Sequence, residues 1–116
     1  MTQYFIDPSA LPGKDLAPGV NLRVAWGQHL MLSFVRLEPG GVVPPHSHPH
    51  EQGGVCLEGA MEFTIGQESR IVRRGEGWMI PGGVTHSVRA LEGGAEALDI
   101  FYPHREDYKS IIGTTS

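Results

Sequence analysis

The chain has 116 residues, 40% of them hydrophobic and 19% charged, enough for one globular core and too little for two. A formal net charge of −4 leaves no broad basic face for a phosphate backbone, and no apolar run approaches the roughly 20 residues that span a bilayer, so neither nucleic acid nor membrane is an expected partner. The 16 glycines and 9 prolines, about a fifth of the chain, suit short strands broken by turns better than helices.

Residues 1–19 are punctuated by Pro8, Pro12, Gly13, Pro18 and Gly19 and read as an arm. The start, MTQYFIDPSALPGKD, has neither a basic segment nor an apolar one of the kind that directs export. The single Cys56 sits in the apolar stretch VCL as a small buried side chain. Both features point to the cytoplasm.

From Val20 the texture changes to β. Val20 to Trp26 and Leu30 to Leu37 are strand candidates around the turn Gly27-Gln28-His29, and Pro39-Gly40-Gly41 and Pro44-Pro45 break the chain after them. Gln52 to Leu57 and Ala60 to Ile65 read as a hairpin about Glu58-Gly59, with Met61, Phe63 and Ile65 alternating with polar partners. Gly66 to Ser69 turns into Arg70 to Arg73, and Gly75-Glu76-Gly77 into Trp78-Met79-Ile80. Thr85 to Leu91 and Ala95 to Tyr102 follow, separated by Glu92-Gly93-Gly94, and only Glu106 to Ile112 has the makings of a helical turn. Many short strands without a long helical period predict an all-β antiparallel sandwich or barrel. The expected organisation is a single domain, with the arm at 1–19, a barrel at 20–103 and a tail at 104–116.

Three of the six histidines fall within PPHSHPHEQ. On a strand, side chains two apart share a face, so His46 and His48 can aim two imidazoles at one point, and Gln52 has the same parity. Glu51 would face away, and Pro49 suggests a bend that carries His50 off the face. His86 follows in PGGVTH, at the start of a later strand. An apolar interior does not accept four such polar side chains without a common partner, and a divalent metal supplies one.

The pattern Gly40-x5-His46-x-His48-x3-Gln52-x6-Gly59 resembles the first cupin motif, with Gln where most cupins have Glu. Gly75-x5-Pro81-x-Gly83-x2-His86 resembles the second, although Ala90 stands where many cupins have Asn. The resemblance implies a double-stranded β-helix, the cupin jelly-roll barrel, with His46, His48, Gln52 and His86 as metal ligands near its mouth. The ion would be Ni, Zn, Mn or Fe(II), since such a ligand set does not choose among them. A neutral Gln leaves the full divalent charge on the metal, which favours polarising a substrate oxygen over activating O2.

The end of the chain, Asp99-Ile100-Phe101-Tyr102-Pro103-His104-Arg105-Glu106-Asp107-Tyr108, is similar to that of the pectin-degradation cupins of the KdgF type. Those proteins open the ring of 4,5-unsaturated uronate monosaccharides. The likeness implies that Asp99, Phe101 and Arg105 line the active site: Asp99 as general acid/base, Arg105 on the substrate carboxylate and Phe101 on the sugar ring. Alternation alone points Asp99 to water, because Leu98, Ile100 and Tyr102 form the more apolar face of its strand. Trp78, Met61 and Met79 read as core or pocket lining without chemistry. The alternatives are a non-catalytic cupin that binds a sugar or other small molecule, and a metal-dependent dioxygenase of a small organic substrate. Val55 and Leu57, opposite in parity to Gln52, need cover, and a homodimer is the expected assembly.

Overall fold

The computed structural model describes residues 4–112. A 3-10 turn at Pro8–Ala10, capped by the Asp7 carboxylate accepting from the Ser9 N–H at 3.0 Å, leads into eight strands. These are β1 (Gly13–Ala17), β2 (Val20–Trp26), β3 (Met31–Leu37), β4 (Val42–His46), β5 (Glu51–Ile65), β6 (Glu68–Arg73), β7 (Gly77–Ile80) and β8 (His86–Tyr102), followed by helix α1 (Glu106–Ile112). The fold is an antiparallel jelly roll. Its main hydrogen-bonded path runs β1-β2-β3-β8-β5-β6 without closing into a full barrel, with β4 added to β8 and β7 to β5. No helix of the described residues is long and apolar enough to cross a membrane.

The expected hairpin about Glu58-Gly59 and the expected pair of strands about Glu92-Gly93-Gly94 are instead two long bent strands. β5 runs unbroken through Glu58-Gly59 and β8 through Glu92-Gly93-Gly94, and they pair from Glu51↔Tyr102 to Ile65↔His86. The register shifts between Cys56 and Glu58 and again between Gly59 and Met61. These bulges switch the inward parity, so Gln52 and Cys56 point in before them and Met61 and Phe63 after. The bend depends on glycine: Gly59 has φ 76°, and a Cβ there would lie 2.1 Å from the Gly94 carbonyl oxygen. The long strands thereby fold into two facing half-sheets, one carrying β4 and β6, the other β7 and β3-β2-β1.

Two further expectations change. Part of the proline-rich arm joins the sheet, since β1 pairs with β2 from Gly13↔Arg23 to Ala17↔Val20. Pro44 and Pro45 lie within β4 and do not end it. Among the described residues strand β4 pairs only with β8, and its register slips between Val43 and His46, so the missing proline N–H groups cost no ladder bond.

Between the half-sheets lies a core that includes Val20, Leu37, Met61, Phe63, Val72, Trp78 and Ile80. A second cluster of Leu22, Val24, Met31 and Phe101 packs toward Tyr108 of α1. The histidine and carboxylate side chains gather at the mouth where the two half-sheets meet.

Candidate metal centre and acidic pocket

His46 ends β4 and His86 opens β8, and the two are direct partners in the β4–β8 ladder. Their rings emerge side by side, with centroids 4.3 Å apart. His48 lies beyond the end of β4, so strand parity does not place it. A loop carries it in, pinned by the Gly83 N–H donating to the His48 carbonyl at 2.8 Å, and its ring centroid comes 5.0 Å from that of His86. One ligand nitrogen from each histidine lies within 4.8 Å of those of the other two. His50 remains beside His48 but outside this triad.

The backbone sets the tautomers. Nδ1 of His46 faces the Pro44 carbonyl at 2.9 Å, that of His86 the Val84 carbonyl at 2.9 Å, and that of His48 the His50 carbonyl at 3.1 Å. A carbonyl only accepts, so each Nδ1 carries the proton and each Nε2 presents its lone pair. Burial, helped by the Arg105 charge, pushes His48 down to about 4, and burial also lowers His86, so both imidazoles stay neutral. The Gln52 Oε1 then lies 2.9 Å from the His48 Nε2, two acceptors face to face, while the His86 Nε2 is buried without a partner. A divalent cation relieves both, because it takes neutral imidazole nitrogens and an amide oxygen together. These residues fit the metal that the sequence implies.

The other end of the Gln52 amide points away from the histidines. Its Nε2 donates to Asp99 Oδ1 at 2.9 Å, and the Trp78 indole Nε1 donates to the same oxygen at 2.8 Å. Among the described residues Asp99 Oδ2 has no donor. Asp99 faces inward, against the alternation reading; the outer face of its strand carries Ile100 and Tyr102, which are 38% and 55% exposed. Burial pushes the Asp99 carboxyl up to about 6, although both N–H donors and the Arg105 charge pull the other way. His46, Gln52, Trp78, His86, Asp99 and Tyr108 are among the residues lining a cavity of about 40 Å³, room for little more than water.

Arg105 is buried under α1. Its Nε and Nη2 donate to the Asp107 carboxylate at 3.2 and 2.7 Å, and its guanidinium carbon lies 3.8 Å from the Tyr108 ring centroid and 5.1 Å from that of Phe101. Nη1 is buried without a partner, a donor that the described residues leave unsatisfied. Phe101 is 1% exposed, enclosed by His48, Tyr108 and Arg105, and presents no open face to a sugar. It buttresses those groups, contrary to the stacking role expected from the sequence. Trp78, Asp107 and Tyr108 were not singled out for chemistry in the sequence. Only the adjoining Gly54, which clears a path for the indole, hints at the first.

Residues 33–101, more than half of the chain, match the cupin domain family, and the protein belongs to the cupins. It is 33% identical over 110 residues, covering 93% of this chain and 99% of the other, to the pectin degradation protein KdgF of Dickeya dadantii (strain 3937). The solved structure of KdgF from Halomonas sp. superposes with a TM-score of 0.85 at 30% identity, covering 92% of this chain and 99% of that one. An RmlC-like cupin from Shewanella frigidimarina superposes equally well, with a TM-score of 0.85, but at 21% identity it speaks for the fold alone.

Proposed function

We propose that this cupin opens the ring of 4,5-unsaturated uronate monosaccharides, with a divalent ion held by His46, His48, His86 and the Gln52 amide oxygen. The observation that carries the reading is the hydrogen bond between Gln52 and Asp99, which couples the ion site to a buried carboxyl. The near full-length likeness to a pectin degradation protein supports the substrate class. Nickel, zinc, manganese and ferrous iron all suit the ligand set.

When bound, the ion supplies positive charge that polarises a substrate oxygen. Arg105 takes the uronate carboxylate on its Nη1 edge and orients the sugar over the mouth. Asp99 removes the proton of the hemiacetal hydroxyl through Oδ2. The carbonyl forms at C1, the bond from C1 to the ring oxygen breaks, and its electron pair remains on that oxygen as an enolate. Asp99 then returns the proton to C4, giving the linear keto acid, so the overall change is an isomerisation and needs no oxidant or organic cofactor. The decisive assay loads the protein with each metal and follows loss of ultraviolet absorbance from the conjugated C4=C5 bond. Oxygen uptake with ferrous iron and no absorbance loss would point to a dioxygenase instead, and ligand binding without turnover to a sugar-binding role.

The chain acts as a homodimer in the cytoplasm. The outer face of β7, β5, β8 and β3 supports the first point, because Met79, Ile100 and Leu32 lie in register across Gly53, flanked by Val55 and Leu98. An apolar strip of that kind is covered most simply by its symmetry mate.

A further inference from the structure

We propose that Trp78 is a positioning residue, the group that with Gln52 anchors Asp99 by one oxygen and turns the other to the reacting sugar. The inference rests on the ring-opening reading above.

The sheet register sets up the contact. Gly54 on β5 pairs with Trp78 on β7 at one side and with Asp99 on β8 at the other. The indole therefore crosses the backbone of the intervening strand to reach Asp99. It does so over a bare Cα: a Cβ at Gly54 would lie 2.6 Å from the indole Cε2 and Nε1, and 2.6 Å from the Leu98 carbonyl oxygen. Phe63 holds the ring from the core side, with centroids 4.7 Å apart. An indole N–H donates and cannot accept, so it can stabilise only the acceptor side of Asp99. The Trp78 and Gln52 donors both fall on Oδ1 and occupy its lone pairs. Oδ2 is the oxygen left for a substrate. Gln52 alone would leave the carboxyl free to turn about one bond; two donors from separate strands fix its plane.

The obvious variant, Trp78→Phe, keeps an aromatic ring but changes its size in a packed core. A second replacement, benzothienylalanine at position 78 in a Trp26→Phe background, exchanges the N–H for sulfur and keeps the ring shape. In metal-loaded protein, both should lower kcat about 10- to 100-fold, the usual effect of losing an outer partner of a site, with KM within about twofold. Metal per chain should not change. In an Asp99→Asn background the same replacements should cost less than about twofold further, because Trp78 acts only through Asp99.

A readout independent of turnover is the 15N-resolved indole N–H signal, assigned by its loss in Trp78→Phe, with Trp26 as internal reference. Asp99→Ala should shift it and speed its solvent exchange. Wild-type kcat in both replacements, full multiplication of the losses in the Asp99→Asn background, or an indole signal indifferent to Asp99→Ala would each overturn the proposal. Wild-type protein silent on every unsaturated uronate defeats the ring-opening reading instead. The indole signal then decides alone whether Trp78 anchors Asp99.

Discussion

The 2.9 Å hydrogen bond from Gln52 Nε2 to Asp99 Oδ1 determines which way round the Gln52 amide lies, and so which atom faces the histidines. The amide has one donor end and one acceptor end, and Asp99 claims the donor. Oε1 is left facing the histidines. Asp99 is thus linked to the histidine cluster through one side chain and to the core through another, the Trp78 indole.

Gln52→Glu breaks that division of labour. Glu has no N–H for Asp99, and it places negative charge both on the ion and beside a second carboxylate. Metal binding should be kept or tightened, while ring opening should weaken by about 10-fold or more, as expected when the ion pulls less on the substrate oxygen. Elemental analysis alongside the absorbance assay checks both halves. Unchanged turnover would argue that the neutral amide has no catalytic purpose.

His46→Ala and His86→Ala should lose the metal and keep the fold. Leu22, Met31, Met61 and Ile80 are almost completely buried, and burying each such side chain contributes ~1.5–3 kcal/mol without help from an ion. Thermal melts should show a cooperative transition in both variants, with metal per chain near zero. Metal retained in the double variant would discard the centre.

Much of this was legible in the sequence. β2 and β3 stand on either side of the turn at Gly27-Gln28-His29, as expected, and in β2 Val20, Leu22 and Val24 face a core while their neighbours do not. The three histidines were equally plain, and their convergence holds although His48 arrives by a loop. The bent strands were misread because a glycine bulge and a glycine turn look alike locally. What distinguishes them is the pairing of Cys56 with Ala97 and of Met61 with Ala90, a long-range fact. Alternation alone misplaces Asp99 for a related reason. It assumes that the apolar face is the buried one, yet Ile100 and Tyr102 lie outside, while Ala97 and Asp99 of the inward row line the cavity and Phe101 is packed beside it.

Arg105 and Asp107 should fail together and differently from Asp99. Asp107 occupies the Nε–Nη2 edge of the guanidinium and so fixes where Nη1 points. Arg105→Lys keeps the charge but loses the planar fork, and Asp107→Ala keeps the fork but lets it turn. Both should raise KM for the uronate about 10-fold or more with a smaller change in kcat. Asp99→Asn should instead cut kcat by about 10²- to 10⁴-fold at constant metal content, since the amide cannot exchange a proton. Steady-state kinetics of the three variants checks the split, and a pure kcat defect in Arg105→Lys would refute carboxylate binding there.

Ile100→Glu tests the assembly. Ile100 sits at the centre of the apolar outer strip, between Leu32 on β3 and Gly53 on β5, with Met79 beyond at 72% exposure. A carboxylate there would be desolvated on dimerisation and would face its own copy across the two-fold axis. Light scattering at high micromolar concentration should report a dimer for the wild type and a monomer for the variant. A monomeric wild type would remove the need for a partner on this face.

Tyr108 gives the chain an alkaline limit that can be read without substrate. Burial pushes its phenol up to about 12; the Arg105 charge opposes this, and the nearby carboxylates of Asp99 and Asp107 reinforce it. An unfolded tyrosine ionises near 10. Below that value the phenol is neutral in both states and pH has no effect through this group. Between about 10 and 12 the unfolded chain releases its proton first, so the folded state binds more protons and stability falls as pH rises. The loss is complete once the pH passes the folded value. Tyr108→Phe removes the ionisable group while keeping the ring against Phe101 and the Arg105 guanidinium. The stability difference between variant and wild type should therefore move in favour of the variant by about 1 kcal/mol from pH 9 to pH 11. Urea unfolding at the two pH values measures it. A difference independent of pH would mean that the phenol reaches solvent, with α1 standing away from the pocket.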